Sequence, residues 1–98
     1  MAQNTRISCP TAAWTQLTDA DTAGDISVAL IKGPVLLQAT ADATPPTGVT
    51  GFPLTAIGDG WSEATIVEKF PGVAGAVRLW AYPDRSDSAG AIVQVSHG

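Results

Sequence analysis

From Trp14 onward, short apolar runs alternate with turn clusters, and no window holds the i, i+3, i+4 spacing of a helix for long. The pattern predicts strands. Residues 25–32 set Ile26, Val28 and Leu30 on one face against Asp25, Ser27 and Ala29 on the other, the period of two of a half-buried strand. Residues 35–41 repeat it with Val35, Leu37 and Ala39, and the intervening Gly33-Pro34 predicts a hairpin turning around Lys32 and Gly33. Residues 76–82 place Val77, Leu79 and Ala81 on one side and Arg78, Trp80 and Tyr82 on the other, and residues 91–97 align Ala91, Val93 and Val95. Residues 54–57 read as a short strand. Residues 61–70 read as another, β-branched at Thr65, Ile66 and Val67 but with blurred alternation. The segments between are rich in Gly, Pro, Thr and Asp: a surface loop over residues 42–53, then Gly58-Asp59-Gly60, Pro71-Gly72 and residues 83–90. About six to seven short strands predict an all-β fold, a small antiparallel β-sandwich or barrel, since a single sheet would leave one apolar face in water.

Residues 1–13 break this rhythm. They are short of large apolar side chains and are interrupted by Pro10, so they read as an extended N-terminal arm ahead of a β-sandwich domain at residues 14–98. An arm of this kind is expected to be held by a neighbouring subunit, which makes Arg6, Ile7 and Cys9 candidate interface residues.

Composition narrows the function classes. In a chain of 98 residues that is 45% hydrophobic, the core is small and support from partners is expected. Charged residues make up 14%, against roughly 25% in an ordinary soluble domain. Net charge is −4 with only five Lys and Arg, so the basic surface that phosphate neutralisation needs is missing, and nucleic acid is not an expected partner. No apolar stretch has the length of a membrane-spanning helix and residues 1–13 hold no signal-type apolar run, so the expectation is a soluble product made in the cytoplasm with no membrane partner. Cys9 is the sole cysteine, which rules out an internal disulfide and a cysteine metal cluster within one chain.

The candidate chemistry is thin. Asp19, Asp21 and Asp25 open like a calcium loop with Gly24 in sixth place, but Ala23 and Leu30 stand where a ligand and the bidentate glutamate belong. They read as acidic turn residues, as do Asp84 and Asp87. Glu63 and Glu68 are five apart on one expected strand, a spacing that sends them to opposite faces and not into a shared cleft. His97 is the only histidine, with no G-x-S-x-G turn to present a nucleophile to it. A thiol nucleophile at Cys9 would need a base, and His97 stands near the other end. The reading is a non-enzymatic protein with no cofactor and no metal.

Trp14, Trp61 and Trp80 carry more information. Indoles fill cores that have little else, and Phe52 and Phe70 are assigned to packing in the same way. If Val77, Leu79 and Ala81 face inward, however, Arg78, Trp80 and Tyr82 form an outward stripe of residue types enriched at interface hot spots. That stripe is the candidate docking surface. A Trp80–Tyr82 pair, rimmed by residues 47–52, could alternatively stack on a glycan.

The order of features resembles the small β-rich virion structural proteins of tailed bacteriophages. It consists of an opening Trp14-Thr15-Gln16-Leu17, a Gly33-Pro34-Val35 turn, a Thr/Pro/Gly loop, Pro71-Gly72, then Val77-Arg78-Leu79-Trp80-Ala81 and a final Ile92-Val93-Gln94-Val95. The resemblance spans about residues 14–95 and implies a compact sandwich that decorates a capsid or roots a head fibre or spike. It carries no catalytic residues over. What it implies is a homo-oligomer docked on the major capsid protein, localised in the virion after assembly in the host bacterial cytoplasm. A tail or baseplate component, or a carbohydrate-binding module for host adsorption, is the alternative.

Overall fold

The computed structural model describes residues 3–10, 13–18, 24–42, 44–46, 51–83 and 90–97. Within these residues, eight strands and one short helix follow in the order β1 (Gln3–Cys9), β2 (Thr15–Gln16), β3 (Ile26–Lys32), β4 (Val35–Thr40), β5 (Phe52–Leu54), β6 (Gly60–Ala64), α1 (Ile66–Lys69), β7 (Arg78–Pro83) and β8 (Ala91–His97). They form two four-stranded antiparallel sheets, β1-β8-β3-β6 and β2-β7-β4-β5. The expected all-β sandwich is the fold, with eight strands in place of six to seven. Among the described residues, no helix is long and apolar enough to cross a membrane.

Period-two alternation builds the core. Ile26, Val28 and Leu30 of β3 and Val93 and Val95 of β8 project from one sheet, and Val35, Leu37 and Ala39 of β4 and Leu79 and Ala81 of β7 from the other. Leu17, Leu54, Ile66 and Cys9 belong to the same buried cluster. Each Val, Leu and Ile among them contributes roughly 1.5–3 kcal/mol by leaving water.

Three expectations are corrected here. Gln3–Cys9 is not an arm outside the sandwich but its edge strand, in register with β8 from Gln3 opposite His97 to Cys9 opposite Ala91. The radius of gyration, 12.0 Å, is that of a globule of this length, about 13 Å. A sparsely apolar strand suffices at this edge because, of its described side chains, only Ile7 and Cys9 meet the core.

Second, β3 and β4 do not pair with each other. The chain passes from one sheet to the other at Gly33-Pro34, whose peptide is cis. The apolar rows of both strands fit either arrangement, because alternation marks which face is buried and not which strand lies alongside.

Third, residues 61–70 are not one strand. β6 ends at Ala64, and Thr65 caps α1 with a reciprocal box: the Glu68 amide donates to Thr65 Oγ1 at 3.2 Å, and the Thr65 amide donates to Glu68 Oε1 at 3.1 Å. That amide and the Thr65 hydroxyl, which donates at 2.9 Å, hold the Glu68 carboxyl below its ordinary range.

Opposite β3, β6 carries a bulge between the Ile26 and Val28 positions, and Glu63 adopts φ +51° there. Gly60 starts the strand at φ +146°, and a Cβ on it would fall inside the Val28 carbonyl oxygen. Since that obstacle is backbone, Gly60→Ala is expected to cost at least about 2 kcal/mol in urea unfolding. Gly72→Ala, where a Cβ meets nothing within 4 Å, should stay within about 0.5 kcal/mol of the parent.

Candidate functional site

The stripe foreseen on β7 lies on the outer face of the second sheet. Leu79 and Ala81 are fully buried inward, so Arg78, Trp80 and Tyr82 share the opposite face. β7 is a central strand, flanked by β2 and β4, and this position decides what each side chain can do. Trp80 has Gln16 opposite on one side and Gln38 on the other, and only 6% of its surface is exposed. Its Nε1 donates to Thr40 Oγ1 at 2.8 Å, and the Thr40 hydroxyl donates in turn to the Asp42 carbonyl at 2.7 Å. Arg78 Nη1 donates to Gln16 Oε1 at 3.2 Å, and Gln16 Nε2 donates to the Thr18 carbonyl. The polar half of this face is thus a wired layer.

Trp80 is consequently not an exposed contact, and the saccharide platform of Trp80 with Tyr82 is not formed. Its expected rim at residues 47–50 lies outside the described residues, and Phe52, expected to pack, is 53% exposed. What the face does offer is an apolar row. Tyr82 of β7 lies opposite Leu36 of β4, and Leu36 lies opposite Pro53 of β5. The Trp14 ring leans on Tyr82 with centroids 5.3 Å apart and planes inclined at 55°. Trp14, Tyr82 and Leu36 are half-buried and Pro53 is exposed. Sequence reading missed Leu36 and Pro53 because cross-strand register, which aligns them, is not visible in a single strand's alternation.

The other sites expected from sequence fare differently. Arg6 is exposed on the outer face of the first sheet and Ile7 is half-buried beneath it, but Cys9 is 2% exposed and belongs to the core, not to an interface. Burial pushes the Cys9 thiol up to about 11, against a smaller lowering by a hydrogen bond with the Thr15 side chain. Asp25 is exposed, and Asp19, Asp21, Asp84 and Asp87 lie outside the described residues. Glu63 and Glu68 sit on β6 and α1 instead of on one strand, and Glu68 is committed to the cap. His97 is in β8, opposite Gln3 and Ile26. Among the described residues, no group of three or more His, Cys, Asp or Glu is placed to hold a metal ion.

A shallow depression of about 280 Å³ lies on the first sheet, lined by Ser27, Ala29, Gln94, Ser96, Gly60 and Trp61 among others. Trp61 serves packing there. Phe70 meets it edge-on at 6.4 Å and Lys69 Nζ sits 5.7 Å from its ring centroid, fastening α1 to β6. Nearby, the Asp59 carboxylate accepts from the Ala56 amide at 2.9 Å and the Thr55 amide at 3.0 Å, which holds it below its ordinary range and fixes the β5–β6 turn. Ile57, 80% exposed, lies within that turn.

Compared with protein-family models, with curated proteins and with solved structures, the chain matches none.

Two outcomes test this account of the site. Trp80→Ala should cost about 3–5 kcal/mol in urea unfolding, whereas Thr40→Val, which strands the indole N–H, should cost about 1–3 kcal/mol. For Cys9 the folded pKa is raised, so its contribution is complete below about pH 9 and is lost as pH climbs through 9 toward 11. Between pH 8 and 11 the parent should lose about 2–3 kcal/mol more stability than Cys9→Ala, read from paired urea titrations.

Proposed function

We propose that this chain is a non-enzymatic structural protein of a tailed-phage virion, docking on the capsid in many copies as a decoration or the base of a head fibre or spike. The observation that carries the reading is the row Trp14–Tyr82–Leu36–Pro53, an apolar strip on a sheet face where Trp80 is bonded to Thr40 and Arg78 to Gln16. Aromatic and aliphatic groups already held in place lose little freedom on docking, so such a strip suits a permanent, repeated contact. The low charge content supports the same reading, because surface that ends up covered has little need of ionised groups. Repetition over a shell multiplies modest single contacts into firm attachment. In this reading the protein resides in the virion, with the major capsid protein and further copies of itself as partners, and the residue pattern resembling virion proteins supports that location.

The test is co-sedimentation of the purified chain with capsid shells of the encoding phage, stripped of their accessory proteins. Binding is expected, with Tyr82→Ala and Leu36→Glu each weakening it about thirtyfold or more while leaving the fold intact. Absence of binding to shells would remove the proposal. Association with isolated tails or baseplates in its place would move the protein to the alternative location.

A further inference from the structure

Each sheet ends in two outer strands, and the fold blunts three of these edges. β2 is two residues long, β5 is three with Pro53 at its centre, and β6 is bulged with Glu63 at φ +51°. β1 has none of these protections. Its seven residues pair with β8 in unbroken register, it contains neither proline nor bulge, and no described strand lies on its other side. About half of its N–H and C=O groups therefore point away from the sandwich, which makes this edge a template for one more strand.

We propose that β1 pairs antiparallel with β1 of a second copy, fusing two four-stranded sheets into one across a twofold axis. The step rests on the self-association in the functional reading above and gives it a place and a register. Of the described strands, β1 is the one that fits. β2 and β5 are too short, β6 is bulged, and β3, β4, β7 and β8 already have a neighbour on both sides. Pairing like with like also closes the assembly, since both free edges vanish in one contact, whereas adding β1 to another edge would leave an open end.

Side chains choose the register. Complete overlap of the two strands sets Arg6 opposite its own copy, a like-charge pair. Sliding the copies so that Thr5 lies on the axis places Ile7 opposite Gln3. Sliding them the other way puts Ile7 on the axis against its copy, with Arg6 opposite Ser8 and Thr5 opposite Cys9. Ile7 faces inward but is only half-buried, being on the outermost strand, so this last register covers apolar surface that the monomer leaves wet. Five residues from each strand overlap, roughly half a dozen backbone hydrogen bonds, which gives a weak dimer suited to crowding on a shell.

Sedimentation equilibrium of the full chain between about 10 µM and 1 mM should show a reversible dimer, with Ile7→Lys at least tenfold weaker because it sets two ammonium groups on the axis. Register is read by mild oxidation in a Cys9→Ser background, where Ile7→Cys should form a covalent dimer at least tenfold faster than Arg6→Cys. If Ile7→Lys loses its cooperative melt, the oxidation pair decides alone. A monomer throughout the range, a dimer indifferent to Ile7→Lys in a folded variant, or equal oxidation rates overturns the proposal. So does protection of β1 amides that arises only on shells and without dimer, because the strand's partner is then another protein. A dimer that ignores capsid shells sinks the functional reading alone, and a monomer that binds them sinks only this one.

Discussion

β8 is the last strand of the chain, yet it lies between the first and the third, and β7 likewise lies between the second and the fourth. Remove β8 and β1 has no partner, while β3 keeps only the bulged β6. Remove β7 and β4 keeps only the three residues of β5. The inward rows of these two central strands, Val93 and Val95 on one and Leu79 and Ala81 on the other, are the surfaces on which the remaining core settles. Because one inner strand of each sheet, β8 or β7, comes late in the sequence, neither sheet can close on local contacts, and the fold belongs to the slow, non-local class of β topologies.

Small side chains let this arrangement work at so modest a size. Ala39, Ala81 and Ala91 are all buried, which lets the sheets approach where bulkier residues would hold them apart. The outer face of the second sheet then solves a different problem. A protein with so few ionised groups orders this exterior mostly through neutral hydrogen bonds, Trp80 to Thr40 to Asp42 and Gln16 to Thr18, with the Arg78 guanidinium as the one charged donor, to Gln16. Such a network is fixed by geometry more than by charge, so salt should disturb it little.

The elements that sequence reading found are those whose apolar alternation is plain: β3, β4 and β8 each bury one row and leave the other partly exposed, and β7 does the same except at Trp80. β1 escaped because an edge strand needs few apolar groups, and its Ile7 and Cys9 alone do not make a pattern. β2 is shorter than any periodicity can register. The cap at Thr65 and Glu68 was present in the letters as T-x-x-E, but the β-branched run around it argued for a strand, and tertiary packing of Ile66 decided for a helical turn. Which strands pair was hidden too, since Ile26, Val28 and Leu30 fit a hairpin with β4 as well as a place across the core from it. At the site, alternation gave the correct face for Arg78, Trp80 and Tyr82 but not their exposure. Exposure depends on what lies on the flanking strands, and Gln16, Thr40 and Leu36 are distant in the chain.

Gln3 and His97 are Cα partners across the β1–β8 ladder, so the two extremities of the fold leave from a single pole. Anything tethered to either extremity hangs from that pole and leaves the opposite one clear. A circular permutation that bridges the two with a brief linker and reopens the chain at an exposed turn would preserve every ladder in both sheets, because sandwich and sequence order are separable at that point.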